Sequence, residues 1–275
     1  MTYSAKETSS ADGQPLLLFH FSIGPLKYLY NTSDVPVTYS GSVYEPGNLS
    51  SSSIRQASGV YRENITISTT KDLTVLELFL GRSLPTVMTL TIHSKHDSDA
   101  EVVQVWQGRV VGRRLQGNQA TISAESFSTI KKRTGISRKY GTSCPHFLFG
   151  SACSADINTY SHNTTVSSVD SNTALTFASV HASAAADDSY YPGGYIRYTD
   201  TFSLTRTVMI TGYTSATKQT TFVHALTDVE VGTPITLVPG CDKALTTCRD
   251  KFGNNVVNFG GWPYSPNDNV FVTGA

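Results

Sequence analysis

The sequence predicts a mainly β chain: two small barrel- or sandwich-like domains stapled by a four-cysteine cluster, with one short helix. Three observations predict it. Short apolar runs alternate with turn residues along most of the 275 positions, the pattern of many short strands. Only 15% of the residues are charged, while Ser, Thr, Gly and Asn abound, as in proteins built from strands and turns. All four cysteines fall in two places, Cys144 with Cys153 and Cys241 with Cys248, so a single site forms if the chain folds back on itself.

From Leu16 to Tyr44, turns at Gly24-Pro25, Asp34-Val35-Pro36 and Ser40-Gly41 separate apolar runs that read as hairpins, with strands over Tyr28–Tyr30 and Val35–Tyr39. Val60 to Thr69 continues the alternation, with Ile65 and Ile67 on one face. Asp72 to Gly81 breaks it. Leu73, Leu76 and Phe79 or Leu80 recur at helical spacing, Asp72 can cap the first turn and Gly81 can end it, which predicts a short helix plugging a barrel end. Thr86 to His93 resumes as a strand, with Met88, Leu90 and Ile92 facing opposite to Thr89, Thr91 and His93. Glu101–Arg113 and Gln119–Glu125 complete a meander. His93 and His96 read as edge-strand polarity, because no carboxylate or cysteine stands at ligand spacing.

After Cys153 the composition changes. Residues 154–190 are dominated by Ser, Thr, Ala, Asn and Asp, which predicts a loop-rich start or an inserted region. Pro192-Gly193-Gly194 is a turn, and Tyr195–Thr201, Val208–Tyr213, Thr220–Leu226 and Pro234–Val238 follow as strands of a second β domain. Its end returns Gly240-Cys241 to the site. The expected organisation is an N-terminal β domain over 1–143, a first cysteine segment over 144–153, a second β domain over 154–239, and a C-terminal cysteine segment over 240–275.

Charge sets further limits. The chain carries 21 basic and 21 acidic residues, so nothing draws it as a whole toward nucleic acid or membrane. One stretch is basic: Arg109, Arg113, Arg114, Lys131, Lys132, Arg133, Arg138 and Lys139 stand against the single acid Glu125. It reads first as a solvated face, second as an offset to thiolate charge at Cys144, and third as a lining for passing DNA that contacts phosphates only. Met1–Gln14 lacks the basic and apolar regions of a signal peptide, and Leu16–Phe19 is too short to span a membrane. The N-x-Ser/Thr triplets at Asn31, Asn48, Asn64 and Asn163 are then chance matches. No G-x-S-x-G, H-E-x-x-H, P-loop or G-x-G-x-x-G occurs, Gly141–Pro145 lacks the flanks of a nucleophile turn, and Asp97 and Asp99 sit in a polar turn.

The cysteine pairs, Cys144-x8-Cys153 and Cys241-x6-Cys248, lie beside Pro145, Gly150, Pro239 and Gly240. Turns can aim several thiolates at one point, and a four-thiolate set holds a tetrahedral zinc or an iron–sulfur cluster. The short knuckle spacing of structural zinc is absent, which leans toward the bulkier cluster. Disulfides and unrelated buried thiols also fit the count. His146 could replace one thiolate in a zinc site.

The run from Gly240-Cys241-Asp242-Lys243 through Cys248 to Asn258-Phe259-Gly260-Gly261-Trp262-Pro263 resembles the C-terminal signature of the tail hub proteins of long-tailed bacteriophages and gene transfer agents. The likeness extends to Trp106–Val110, to Tyr140–Cys153 with its Cys-Pro-His, and to Pro192–Tyr195; the lambda tail tip protein is similar more distantly. The resemblance implies a 4Fe–4S cluster on Cys144, Cys153, Cys241 and Cys248, with zinc as the alternative occupant. It further implies a non-enzymatic, trimeric ring in the virion, assembled in the bacterial host cytoplasm. That ring would link the tail tube and distal tail protein to a central tip or fibre protein, with the tape measure protein ending inside and DNA passing during infection. Two other readings are a metal-dependent or redox enzyme on a β scaffold, and a zinc-stapled carbohydrate-binding module using Trp262 and Tyr264. These two aromatics are otherwise expected at a strand end packed on the core.

Overall fold

The structure is a computed structural model, which describes residues 15–54, 64–79, 84–96, 101–128 and 141–264. The chain folds as two compact units, Met1–Arg133 and Thr134–Ala275. The expectations for Val60, Leu80, Gly81, Asp97, Asp99, Lys131, Lys132, Arg133, Arg138 and Lys139 lie outside the described residues.

The first unit is built on nine strands: β1 (Pro15–Ile23), β2 (Leu26–Asn31), β3 (Val37–Tyr39), β4 (Ser42–Pro46), β5 (Leu49–Ser51), β6 (Asn64–Thr70), β7 (Thr89–His96), β8 (Val102–Gln116) and β9 (Gln119–Ser126). They form one sheet in the order β3-β4-β2-β1-β7-β8-β9-β6-β5. The run Leu16 to Phe21 is apolar nearly throughout because β1 is central and covered on both faces. Leu16 and Leu18 pack with Tyr44 on one side, while Phe19, Phe21 and Ile23, which alternate with them, are buried on the other. Ile65 and Ile67 are buried on β6, and Met88, Leu90 and Ile92 along β7, as the alternation predicts.

The short helix expected after Asp72 is present over Thr74–Phe79, as a 3₁₀ helix, and the recurrence of Leu73, Leu76 and Phe79 suits its three-residue repeat. Two expectations are corrected in this unit. The helix does not plug a barrel. It lies across the open sheet, held by a Tyr30–Thr74 hydroxyl contact of 3.1 Å and by the Arg113 guanidinium, which donates to the carbonyls of Leu76 at 3.3 Å and Phe79 at 3.2 Å. Part of the basic stretch is thereby structural, since Arg109 also pairs with Glu125, its Nε 2.6 Å from the carboxylate. The second correction concerns the histidines. His93 and His96 lie on β7 between β1 and β8, not at an edge, and His96 is buried. Asn31 is also buried, donating to Tyr44 O at 2.6 Å and accepting from Ser33, so it is an internal turn clamp.

The second unit contains a closed antiparallel barrel, β10-β11-β14-β13-β12-β15: β10 (His162–Ser171), β11 (Ala174–Phe177), β12 (Tyr195–Thr199), β13 (Thr205–Thr214), β14 (Gln219–Phe222) and β15 (Pro234–Val238). Residues 154–190 are not an insertion; they supply two barrel strands. Their inward positions need only Thr164, Val166, Leu175 and Phe177, and the outward alternates are the Ser, Thr and Asn that make the stretch look like a loop.

Tyrosines dominate the barrel core. Tyr190, Tyr191 and Tyr213 meet edge to face, with centroids 5.0 and 4.9 Å apart. Burial pushes the Tyr190 hydroxyl up to about 12 and raises Tyr191 as well. The hydroxyls stay satisfied: Tyr213 donates to Ala184 O at 3.1 Å, and Tyr191 accepts from His181 N–H at 3.0 Å. At the β12–β13 turn Asp200 is held by Arg206 Nε at 2.6 Å and by the N–H groups of Phe202 and Leu204, an ion pair almost without solvent.

Candidate metal centre

All four cysteines belong to the second unit. A staple there closes loops within one unit, where the sequence predicts one between two domains. The thiols are free, which sets aside the disulfide reading.

Two glycines carry the chain from the barrel to the site. β15 runs on into Pro239-Gly240, which is laid directly on Pro192–Gly194. A Cβ on Gly240 would stand 2.0 Å from Pro192 O, and one on Gly194 would stand 2.1 Å from Val238 O, so the backbones can touch only without side chains. Lys251 closes this seat. Its ammonium donates to the carbonyls of Gly240 at 2.9 Å, Ser189 at 3.4 Å and Tyr190, and lies 4.7 Å from the Tyr190 ring centroid. Burial pulls its pKa down, against the opposing pull of Asp187, Cys241 and Asp242.

Cys241 follows immediately, and Cys248 sits on the buried side of the helix Leu245–Asp250. That helix begins with Asp242 Oδ1 accepting from Ala244 N–H at 2.9 Å. Beyond its C-cap, Lys251, the chain turns at Gly253 and Asn254, both left-handed, with Asn254 N–H on Arg249 O at 2.8 Å. Cys144 and Cys153 come from two successive turns. The second is wound by Gly150 N–H to Phe147 O at 3.1 Å and Cys153 N–H to Gly150 O at 3.0 Å.

Lys243 joins the two pairs. Its carbonyl accepts from Cys144 N–H at 2.9 Å, its own N–H donates to Cys241 Sγ at 3.4 Å, and its ammonium reaches His146 O at 2.6 Å. Gly260 N–H lies 3.5 Å from Cys144 Sγ. Backbone N–H groups directed at sulfur favour the thiolate over the thiol. Seven described non-glycine residues have positive φ, and four of them, Phe149, Ser154, Lys243 and Asn254, lie in the cysteine-bearing loops. Strained backbone is thus concentrated where the thiols are aimed.

The four cysteines line one cavity with His146, Leu148, Lys243, Phe252 and Phe259. Its floor is aromatic: Phe252 meets Tyr160 at 5.1 Å and Phe149 at 6.0 Å. The enclosed space is about 10 Å³, room for one small sphere. Burial raises the Cys248 pKa first, and Cys153, Cys144 and Cys241 raise it further by repulsion. Burial likewise raises Cys241, partly offset by Lys243. Four cysteines around one small cavity are a donor set for a soft cation. As the side chains stand, no group of three or more His, Cys, Asp or Glu among the described residues is in metal-holding geometry. The thiols share a cavity without closing on a point.

His146 lines the cavity, and its Nδ1 lies 3.0 Å from Asn258 O. A carbonyl can only accept, so Nδ1 is the donor in this contact. Trp262 and Tyr264 are 61% and 89% exposed, not packed on the core as expected. Beside them Gly261 packs on backbone, its Cβ position 2.7 Å from Thr142 O, and Trp262 N–H donates to Gly141 O at 2.8 Å. Lys243, Lys251, Asn255 and Asn258 are the site residues that spacing did not single out. The first three stand beside cysteines or glycines in the same run, but nothing in their spacing distinguishes a clamp from a solvated polar residue.

The family model described as phage conserved hypothetical protein BR0599 matches residues 189–269, which span the Gly194–Gly240 seat, Cys241 and Cys248. A chain in the structure of the virion of a native gene transfer agent particle has the same fold, with a TM-score of 0.80 and 18% identity, covering 100% of this chain and 95% of that one. No match is found among curated proteins.

Proposed function

We propose that this chain is a structural subunit of a phage or gene transfer agent virion, placed as a hub at the end of the tail tube. The observation that carries the reading is the likeness in fold, over the full length, to a chain of a gene transfer agent virion; the phage family match over residues 189–269 supports it. In this reading the chain forms a trimeric ring between the tube with its distal tail protein and a central tip or fibre protein. It meets the end of the tape measure protein and lets DNA pass. Its work is mechanical, not catalytic.

The same reading assigns Cys144, Cys153, Cys241 and Cys248 as ligands of a 4Fe–4S cluster, which would cross-link the cysteine loops to the end of the barrel. The sulfur-only donor set and the N–H groups directed at sulfur support it. A single zinc ion is the second reading, favoured by the small enclosed volume.

Two measurements test these readings. Immunogold labelling of purified particles should mark one end of the tail; label spread along the tail or on the head rejects the hub. Iron, acid-labile sulfide and zinc are measured on protein purified without oxygen. Equal iron and sulfide support the cluster, stoichiometric zinc supports the second reading, and absence of both rejects the metal.

A further inference from the structure

Asn255 opens the 3₁₀ turn Asn255–Asn258, just beyond the helix that carries Cys248. Its side-chain Nδ2 donates to the carbonyl of Cys153 at 2.6 Å and lies 3.8 Å from Cys153 Sγ. Its main-chain carbonyl accepts from Cys248 Sγ at 3.2 Å. One residue therefore touches one cysteine of each pair, although 102 positions separate it from Cys153. The amide is itself held. Asn258 Nδ2 donates to Asn255 Oδ1 at 2.6 Å, which leaves Nδ2 as the end facing Cys153. Asn258 O takes the His146 ring at 3.0 Å, so the chain of contacts runs on to the segment of Cys144.

We propose that Asn255 is the positioning residue of this site, holding the Cys153 segment by its carbonyl and directing an N–H at the Cys153 sulfur. The inference rests on reading the four cysteines as metal ligands. A ligand's hydrogen-bond partner commonly governs metal affinity by about 10- to 100-fold, and an N–H on a ligating sulfur also moves the reduction potential of an iron–sulfur centre. Asn255 is suited to both roles, because it has one hydrogen-bonding end for the cysteine and the other for its own support.

The test compares the full chain with Asn255→Ala, Asn255→Asp and Asn258→Ala, purified without oxygen and matched by far-UV circular dichroism. The readout is the rate of metal release to a chelator. Asn255→Ala should release metal about 10- to 100-fold faster than the parent, Asn255→Asp at least as fast, and Asn258→Ala at an intermediate rate. Release unchanged in Asn255→Ala overturns the proposal while leaving the ligand reading intact. A parent protein without metal removes the ligand reading. The positioning claim is then judged by alkylation of Cys153 in the metal-free chain, followed by mass spectrometry. Faster labelling in Asn255→Ala and Asn258→Ala than in the parent keeps Asn255 as the residue that holds Cys153, and equal labelling ends it. If Asn255→Ala does not fold, Asn258→Ala decides by the same two readouts, because it removes only the support of the amide.

Discussion

The ammonium of Lys243 lies 2.6 Å from the carbonyl oxygen of His146, and this bond ties the loop of Cys241 to the loop of Cys144. Because Lys243 also accepts from Cys144 N–H, one residue fixes the approach of the two cysteine pairs by side chain and by main chain.

Lys243→Met keeps the stem and removes the charged donor. A hydrogen bond from a charged group contributes about 1.5–3 kcal/mol, and this one is part-buried. The variant should lose about 2 kcal/mol of stability in urea titration and should also hold metal less well. Lys243→Arg should not restore the parent, since a planar fork cannot take the place of a single ammonium directed at one carbonyl.

Gly240→Ala and Gly193→Ala separate contact from conformation. At Gly240 the new Cβ would stand 2.0 Å from Pro192 O, whereas at Gly193, with φ of 78°, it meets nothing within 4 Å. Gly193→Ala should cost about 1–2 kcal/mol from left-handed strain alone. Gly240→Ala forces backbone apart and should cost about 3 kcal/mol or more. It should also abolish metal retention, because Cys241 moves with it. Thermal melts paired with metal analysis check both.

Titration of the metal-free chain should show the thiols. Burial, followed by the other three sulfurs, raises the Cys248 pKa in the folded state. A thiol whose folded pKa is raised contributes stability that is fully present below its unfolded value, near 9.0, and is lost as pH rises through the folded one. The metal-free melting temperature should therefore fall on the alkaline side of about pH 9, and Cys248→Ala should flatten that fall. Metal uptake runs the other way, strengthening as pH rises, because binding releases thiol protons.

Arg206→Met leaves the Asp200 carboxylate buried without its cation. Breaking such a pair from one side costs about 3–5 kcal/mol. The N–H groups of Phe202 and Leu204, at 2.9 and 2.8 Å from Asp200 Oδ1, should hold the loss near the lower figure. Chemical denaturation of the full chain measures it.

The strands legible in the sequence are those whose buried face is written in large residues. Ile65 with Ile67, Leu90 with Ile92 and Ile235 with Leu237 announce themselves by alternation. β10 does not, because a barrel strand can close with Thr164 and Val166 inward and hydroxyl residues outward. The short helix at Thr74–Phe79 is legible, but its 3₁₀ type is not, because a three-residue recurrence is shared by two helix types. At the site, the cysteines and the close-packed glycines are legible by residue type. Lys243, Lys251 and Asn255 are not, because what distinguishes them is which carbonyl their side chains reach, and that depends on how the loops fold back over the barrel end.

A closed barrel has no unpaired strand edge, so among the described residues of the second unit the barrel offers no template for strand addition by a neighbour. The nine-stranded sheet of the first unit ends on β3 and β5, each of three residues, too short for a long run of intermolecular backbone pairing. Many copies of such a chain can be crowded together with little risk of fusing into a continuous sheet, and contacts between them are left to side chains and loops.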